Sequence, residues 1–241
     1  MVGTDKYPLQ LPETVILAET DEVEIRKDDL RRWMGCSGSD NIQEAIEKYE
    51  KAVRDYAAAH DLVRPAAAFR FARIQNVAKT FVQLASGDVI PGTLFSDNIP
   101  GAIFVAVAAC HIHRGLEKAV YSLMKEKRYF MAIVLDAYGS AALEAVSDRL
   151  AAIVAHRIRD TRLSISSPFF FGSPGLPLDP KSCLPCPAIG MRPTKTGGFY
   201  PKKSVCMVLG VGENMPVWPK SQNCEYCPGK NNCRYRRYHS E

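Results

Sequence analysis

The clearest periodic pattern in the chain is helical, with apolar residues three or four positions apart. It runs from Ile42 to Ala57, where Asp40 and Gln43 occupy positions that can cap the start of a helix. A second helical pattern, from Met131 to Arg157, keeps its apolar residues along one stripe, and a shorter one runs from Glu117 to Lys127. These patterns predict three helices, one of them long.

A fourth and shorter helix is indicated by the segment RKDDLRRWMG, residues 26–35. We expect it to end at Gly35, because glycine can adopt the left-handed conformation that stops a helix. Just before it, Leu11 to Ile25 alternates short apolar stretches with acidic residues around a turn. That alternation predicts a pair of short strands.

Strand patterns fill much of the remaining chain. Between Ala66 and Ile90 apolar and polar positions alternate, and the pairs Gln75–Asn76 and Ser86–Gly87 are expected to interrupt the strands. The run from Gly101 to Ala109 is apolar throughout, so periodicity alone allows a buried strand or the start of a helix. Ser204 to Val211 predicts another short strand.

The order of these elements favours an α+β fold with an antiparallel sheet. Strands and helices are mixed along the chain rather than alternating regularly, which disfavours a doubly wound parallel sheet. The chain has 241 residues, 46% of them hydrophobic and 24% charged, so a sizeable core can form without disulfides.

Composition also narrows the class of protein. Residues 1–11 lack the apolar core of a secretory signal, and the longest smooth apolar run, Gly101 to Cys110, is about half of what a membrane-spanning helix needs. We therefore expect a soluble cytoplasmic protein without a membrane partner. In that compartment, eight cysteines are expected to be reduced thiols or metal ligands.

Five of those cysteines lie in two short clusters. Cys183 and Cys186 form one Cys-x-x-Cys pair, and Cys224 and Cys227 form a second, followed by Cys233. Two cysteines at this spacing can direct both sulfurs to one metal ion. The pattern predicts a metal centre on these five thiols; an iron–sulfur cluster is favoured, and zinc or unligated structural or redox thiols remain as alternatives.

The segment from Cys233 to Ser240, CRYRRYHS, is both basic and aromatic. Such a segment can stack on and neutralise a nucleic acid. No basic stripe continues elsewhere in the sequence, so we favour the simpler interpretation, in which the tyrosines pack against the rest of the protein and nucleic acid is not a partner.

Five segments taken together resemble a known family. RKDDLRRWMG, IVLDAYGSAALEAVSDRL, SPGLPLDP, AIGM and YPKKSVCMVLGVG occur in this order between about residues 13 and 212. The series resembles the activation domain of cobalamin-dependent methionine synthase, especially its stand-alone versions. The resemblance implies a single C-shaped or helmet-like α+β domain over residues 1–212 with a twisted antiparallel sheet; residues 213–241 would be a cysteine-rich, metal-binding extension packed on it.

The resemblance also implies a function. In that family the domain binds S-adenosylmethionine and caps the corrinoid of a partner protein. Addition of an electron and a methyl group converts that corrinoid back to methylcobalamin. The leading hypothesis is therefore an activation module for a corrinoid-dependent methyltransferase, with the cobalamin supplied by the partner and a cysteine-bound iron–sulfur cluster relaying the electron. The alternatives are a metal-stabilised, non-catalytic scaffold that docks on a corrinoid protein and, further behind, a zinc-ribbon nucleic-acid binder.

The resemblance assigns cofactor-binding positions residue by residue. They are Phe171, Ser173, Pro174, Gly175, Leu176, Lys202, Lys203, Ser204, Asp136 and Glu144. Phe171 and Leu176 stand where the family has an arginine and a tyrosine. Losing that arginine removes a charge-assisted contact to the carboxylate of S-adenosylmethionine worth roughly 1.5 to 3 kcal/mol. For Asp136 and Glu144, a structural role on the helix is an equal alternative to ligand contact.

Overall fold

The fold is built on an antiparallel sheet curled into a half-barrel. The computed structural model describes residues 11–20, 23–35, 43–93, 98–173, 175–177, 185–194, 198–225, 227 and 229–237. Its strands are β1 (Ile16–Ala18), β2 (Ala66–Ala78), β3 (Phe81–Leu84), β4 (Val89–Pro91), β5 (Ala102–His111), β6 (Ser164–Ile165), β7 (Phe169–Phe170), β8 (Arg192–Pro193), β9 (Phe199–Tyr200) and β10 (Ser204–Gly212). The main sheet has the order β4-β3-β2-β5-β10-β6, with β1 also on β2 and β7 also on β10. Strands β8 and β9 form a separate pair.

The helices are α1 (Lys27–Met34), α2 (Gln43–Ala59), α3 (Gly115–Lys125), α4 (Tyr129–Arg157) and α5 (Lys220–Glu225), with a 3₁₀ helix at Cys186–Ile189. Helix α4 packs against α1, α2, α3 and strand β5. The α+β class and the antiparallel sheet predicted from the sequence are confirmed.

Strand alternation divides the sheet into two faces. On β5, Ala106 and Ala108 belong to the core shared with the helices, whereas Val105 and Val107 belong to a second core on the opposite side. On β10, Leu209 faces the helices in the same way. We call these the helix face and the loop face. The small residues on the helix face leave room for α4 to lie close to the sheet.

Helix α4 is the central element of the helix face. Its 29 residues place buried side chains on several sides, because it contacts the sheet and three other helices. By length and apolar composition alone it could cross a membrane, but 56% of its most apolar window is buried within the protein. A core helix meets the same two criteria, and α4 occupies that position here.

The structure also corrects several predictions. Between Leu11 and Ile25 the described residues contain one strand, β1, rather than a pair. The pair Gln75–Asn76 does not end the strand; β2 continues to Ala78, and a register shift between Ile74 and Asn76 absorbs the irregularity. Short strands β6 to β9 and helix α5 were not predicted.

The structure answers two further questions, the nature of the apolar run near Gly101 and the end of helix α1. The apolar run that starts near Gly101 is a strand, paired with β2 on one side and β10 on the other. Helix α1 ends as predicted at Gly35, which has a φ of 72° and closes the helix with its own backbone N–H.

Helices α3 and α4 approach most closely at Gly139. A Cβ added there would lie 2.6 Å from a methyl carbon of Leu116. We expect Gly139→Ala to lower the free energy of unfolding by about 1–2 kcal/mol, because the steric cost exceeds the gain of up to about 1 kcal/mol in helix propensity. Urea denaturation measures the change.

The matched test of this explanation is a double variant. Leu116→Ala alone should destabilise the protein by leaving a cavity, and the new methyl of Gly139→Ala should partly fill that cavity. The double variant is therefore expected to lose less stability than the sum of the two single losses. Additive losses would show that Leu116 is not the cause.

Candidate functional site

The predicted cofactor loop is a tight turn on the loop face. The N–H of Leu176 donates to the carbonyl of Ser173 at 3.0 Å, and the N–H of Ser173 donates to the carbonyl of Phe170 at 3.1 Å. Gly175 has a φ of 75°, in the left-handed region that favours glycine. Pro174 lies outside the described residues. The glycine in this motif is therefore required by the turn itself.

Leu176 and Phe171, the two positions that depart from the family's motif, pack in the core of the loop face. Leu176 is fully buried in the core of the loop face, and Phe171 packs beside it. The N–H of Phe171 donates to the carbonyl of Cys206 on β10 at 3.0 Å, which fixes the start of the turn on the sheet. The backbone of the turn is exposed to solvent at Gly172 and Gly175.

The residues predicted near Lys202 lie on the other side of the sheet. The ammonium of Lys203 contacts the carboxylate of Asp136 at 2.9 Å and the hydroxyl of Ser140 at 2.7 Å, both on α4. The backbone N–H groups of Lys202 and Lys203 donate to Glu117 on α3. Two predicted ligands, Lys203 and Asp136, thus bind each other and fix the start of β10 to the helices. Ser204 donates its hydroxyl hydrogen to the carbonyl of Pro201.

Glu144 lies at the centre of a partly buried charge cluster on the helix face. Its carboxylate accepts hydrogen bonds from Arg32, Arg237 and Lys220, the last at 3.1 Å, and from the indole N–H of Trp33 at 3.1 Å. The side chain of Glu144 is only 15% exposed. These partners come from α1, from α5 and from near the end of the described chain. We call Asp29, Arg32, Glu144, Lys220 and Arg237 the Glu144 cluster.

A second carboxylate completes this cluster. The carboxylate of Asp29 on α1 forms an ion pair with the guanidinium of Arg237 at 2.8 Å and lies 3.7 Å from that of Arg32. Burial alone would raise the pKa of Glu144, but Lys220, Arg32 and Arg237 together outweigh burial and lower it to about 2. Burial lowers the pKa of Arg237, but Glu144 and Asp29 raise it by more. Both partners are therefore held charged in the folded protein.

The C-terminal segment, residues 213–237, lies against α1 and α4 through this cluster. Arg32 donates to the carbonyl of Tyr235 at 3.2 Å, and the ring of Tyr235 lies 5.2 Å from that of Trp33. Arg236 pairs with Glu225 at 2.6 Å. The basic and aromatic residues of this segment are thus engaged with the protein itself.

The structure does not gather the described cysteines at one centre. Cys186 lies on the loop face with its sulfur 3.5 Å from that of Cys206 on β10. Cys224 lies near α1 and α4 and accepts the backbone N–H of Arg237 at 3.5 Å. Cys183 lies outside the described residues.

The sheet therefore lies between Cys186 and Cys224. Because Cys183 is outside the described residues, the metal centre expected on all five thiols stays a prediction. Among the described residues, no group of three or more histidine, cysteine, aspartate or glutamate side chains could hold a metal ion. The described part of the chain therefore does not by itself supply the ligands of a cluster. Cys227 and Cys233 are partly exposed.

Two of the remaining thiols are poorly suited to be ligands. Burial raises the pKa of Cys110 to about 12. A hydrogen bond with Cys186, followed by burial, raises the pKa of Cys206, while the same hydrogen bond lowers that of Cys186. Cys186 is therefore the more acidic thiol of this pair.

Sequence reasoning identified Glu144 but missed its partners. Arg32 is 112 residues away and Arg237 is 93 residues away, so no local pattern connects them. The sequence held one indication of a cationic partner, since Glu144 and Asp148 are four residues apart on a predicted helix and so lie on the same side of it. In the structure both carboxylates contact Lys220.

Comparison with known proteins identifies one informative similarity. No family model matches the chain, and no curated protein matches it. The crystal structure of the MetH reactivation domain bound to AdoHcy is similar, with a TM-score of 0.58 and 12% sequence identity. The match covers 93% of this chain and 88% of that one. At this identity the similarity shows the fold, a single-domain α+β arrangement like that of the reactivation domain.

The Glu144 cluster makes the free energy of unfolding depend on pH in the acidic range. Because the folded pKa of Glu144 lies below its ordinary value of 4.5, its contribution is complete above about pH 5 and is lost as pH falls towards 2. We expect this group to contribute about 3 kcal/mol to the fall in unfolding free energy across that window. Denaturant titrations at several pH values measure it.

Glu144→Gln should remove the pH-dependent contribution of this carboxylate to the free energy of unfolding. It should also destabilise the protein by about 3–5 kcal/mol at neutral pH, because buried cations lose their counterion. The matched control is Glu47→Gln, whose carboxylate is 52% exposed and pairs with Arg31 at 3.0 Å. That change should cost about 1 kcal/mol or less. Equal losses in the two variants would contradict the role assigned to Glu144.

Proposed function

We propose that this protein is an activation module for a corrinoid-dependent methyltransferase. The observation that supports the proposal most directly is the fold, which matches the MetH reactivation domain over nearly the whole chain. The corrinoid belongs to the partner in this proposal, and the protein caps it during reductive remethylation. The motifs at residues 26–35, 133–150, 173–180 and 200–212 support the same assignment.

S-adenosylmethionine is the methyl donor that the similarity suggests, since the similar structure was solved with AdoHcy. When bound, it would supply the methyl group. On this chain the exposed backbone at Gly175 is the part of the matched loop that a ligand can approach. The cation at position 171 is missing, and Lys203, Asp136 and Glu144 are engaged with one another or with cations of the same chain.

Those observations favour one second candidate. In it the protein keeps the fold as a scaffold that docks on a corrinoid protein, without binding the methyl donor. The specific support is the buried position of Leu176 and the packing of Phe171, which fill the places of the family's tyrosine and arginine with apolar side chains. Titration with the methyl donor separates the two candidates.

Activation requires saturable binding of S-adenosylmethionine and AdoHcy, measured by isothermal titration calorimetry. We expect dissociation constants on the order of 10–100 µM, since one charge-assisted contact is missing relative to the family motif. Gly175→Ala should weaken binding at least about tenfold, because a side chain strains the left-handed turn. No saturable binding by the unaltered protein would favour the scaffold.

The control for this experiment is Gly87→Ala. Gly87 also has a positive φ, 90°, and is exposed in the connection between β3 and β4. It carries the same backbone strain without a place in the matched loop, so affinity should stay unchanged. A similar loss of binding in both variants would indicate a general effect on folding rather than a ligand contact.

The metal prediction from the sequence is tested separately. Protein purified without oxygen is assayed for iron, zinc and sulfide, and its visible spectrum is recorded. The predicted iron–sulfur centre on Cys183, Cys186, Cys224, Cys227 and Cys233 should give a brown sample that Cys227→Ser bleaches. Cys110→Ala, which alters an isolated core thiol, should leave the metal content unchanged. A colourless sample without iron would overturn the iron–sulfur prediction.

A further inference from the structure

Large apolar side chains are exposed together where α3 turns into α4. Tyr121 is 63% exposed, Met124 45%, Tyr129 54%, Phe130 38% and Ile133 54%. We call these five residues the corner patch. Every residue from Met124 to Phe130 is exposed, so no described element covers this corner. A soluble surface seldom concentrates apolar side chains in this way unless a partner covers them.

A groove lies beside the corner patch, between α2 and the start of α4. It has a volume of about 710 Å³, and its walls include Tyr49, Tyr56, Tyr129, Phe130 and Met131. The rings of Tyr49 and Phe130 meet edge to face with centroids 4.6 Å apart, which holds one wall in place. Within the described residues, the phenol groups of Tyr49 and Tyr56 have no hydrogen-bond partner, so they can bind polar groups of an occupant.

The rim of this site is positively charged. Lys118, Lys125, Lys127 and Arg128 are exposed around the corner. Three acidic residues lie in or near this site, and each is already engaged. Glu117 accepts the backbone N–H groups of Lys202 and Lys203, and Glu126 pairs with Arg128 at 3.5 Å. Asp55, which lines the groove, pairs with Lys51 at 2.9 Å. An occupant with acidic side chains is therefore complementary to this rim.

Lys127 provides an independent indication that the rim has a role. It adopts a φ of 60°, in the left-handed region, where it ends α3 through its N–H bond to Met124 at 3.1 Å. Glycine is the usual residue at this position of a helix end. Lysine costs stability here, and its side chain has no ion pair among the described residues.

We propose that the corner patch and the groove bind an acidic segment of a partner protein, with an apolar side chain of that segment inserted between Tyr49, Tyr56 and Phe130. The concave groove and the phenol donors suit a peptide segment better than a membrane surface. A second copy of the chain would bring two positive rims together. This inference goes beyond the proposed function and does not depend on it.

The test starts from a display library of random short peptides selected on the intact protein. We expect the enriched peptides to combine aspartate or glutamate with large apolar residues. Binding of a synthesised enriched peptide is then measured by fluorescence anisotropy, and it should weaken as salt is added, because surface charges are screened.

Two variants locate the site. Tyr129→Ser removes an exposed ring from the groove and should weaken peptide binding at least about tenfold. Lys127→Gly removes a rim charge at a position that glycine suits and should weaken binding about twofold to fivefold. Lys127→Gly is expected to raise thermal stability, so its loss of binding cannot come from unfolding.

Matched controls lie outside the corner. Val217→Ser alters another apolar side chain, 78% exposed, and Asn214→Gly relaxes another non-glycine residue with positive φ, 54°. Neither should change peptide affinity. The proposal is overturned if no peptide is enriched, if enriched peptides are not acidic, or if Tyr129→Ser and Lys127→Gly bind them normally.

Two further measurements distinguish other occupants. Vesicles of phosphatidylcholine and phosphatidylserine should not sediment with the protein, and sedimentation that Tyr129→Ser abolishes would assign the corner to a membrane. Analytical ultracentrifugation should show the same association state for the unaltered protein and Tyr129→Ser. A dimer lost in that variant would assign the corner to a second copy.

Discussion

The arrangement of the helices and of the C-terminal segment depends on the buried carboxylate of Glu144. An unpaired carboxylate at this depth would cost several kcal/mol, so α4 can pack here only when cations reach it. Those cations come from three separate parts of the chain, Arg32, Lys220 and Arg237. Asp29 and Asp148 pair with some of these cations, but among the described residues Glu144 is the carboxylate that all three share. The cluster therefore holds α1, α4 and residues 213–237 together as one body.

The sheet is the second constraint, because it divides the chemistry of the protein into two sides. The glycine turn and the Cys186–Cys206 pair lie on the loop face, whereas Glu144, Asp136 and Cys224 lie on the helix face. Residues that the sequence placed in one cofactor site or in one metal centre are thus distributed over both faces. A function that uses both sides needs a partner large enough to span them, which is consistent with a protein that works on another protein.

Local sequence patterns predicted the elements that carry their own recognisable signal, such as regularly spaced apolar residues. Helix α2 follows the 3.6-residue pattern closely. Helix α4 was recognisable by its length and apolar content, although its buried residues lie on several sides rather than along the single predicted stripe. Gly35 and Gly175 are recognisable because particular turns require them. The strand β5 stayed ambiguous, since a run of alanine and valine has no polar side to show its period. Strands β6 and β7 have only two residues each, and they exist because β10 lies beside them. Their position follows from the curl of the whole sheet, which no local pattern encodes.

Strand β10 comes late in the chain but lies inside the sheet. It pairs with β5, about a hundred residues earlier, and it contributes Met207 and Leu209 to the core beneath α4. A growing chain that has reached residue 203 therefore has part of the core beneath α4 uncovered and a strand, β5, with an open edge. The core closes only after residue 212 has been made. Folding must wait for this strand, and chaperones that shield apolar surface are most needed during that interval of synthesis.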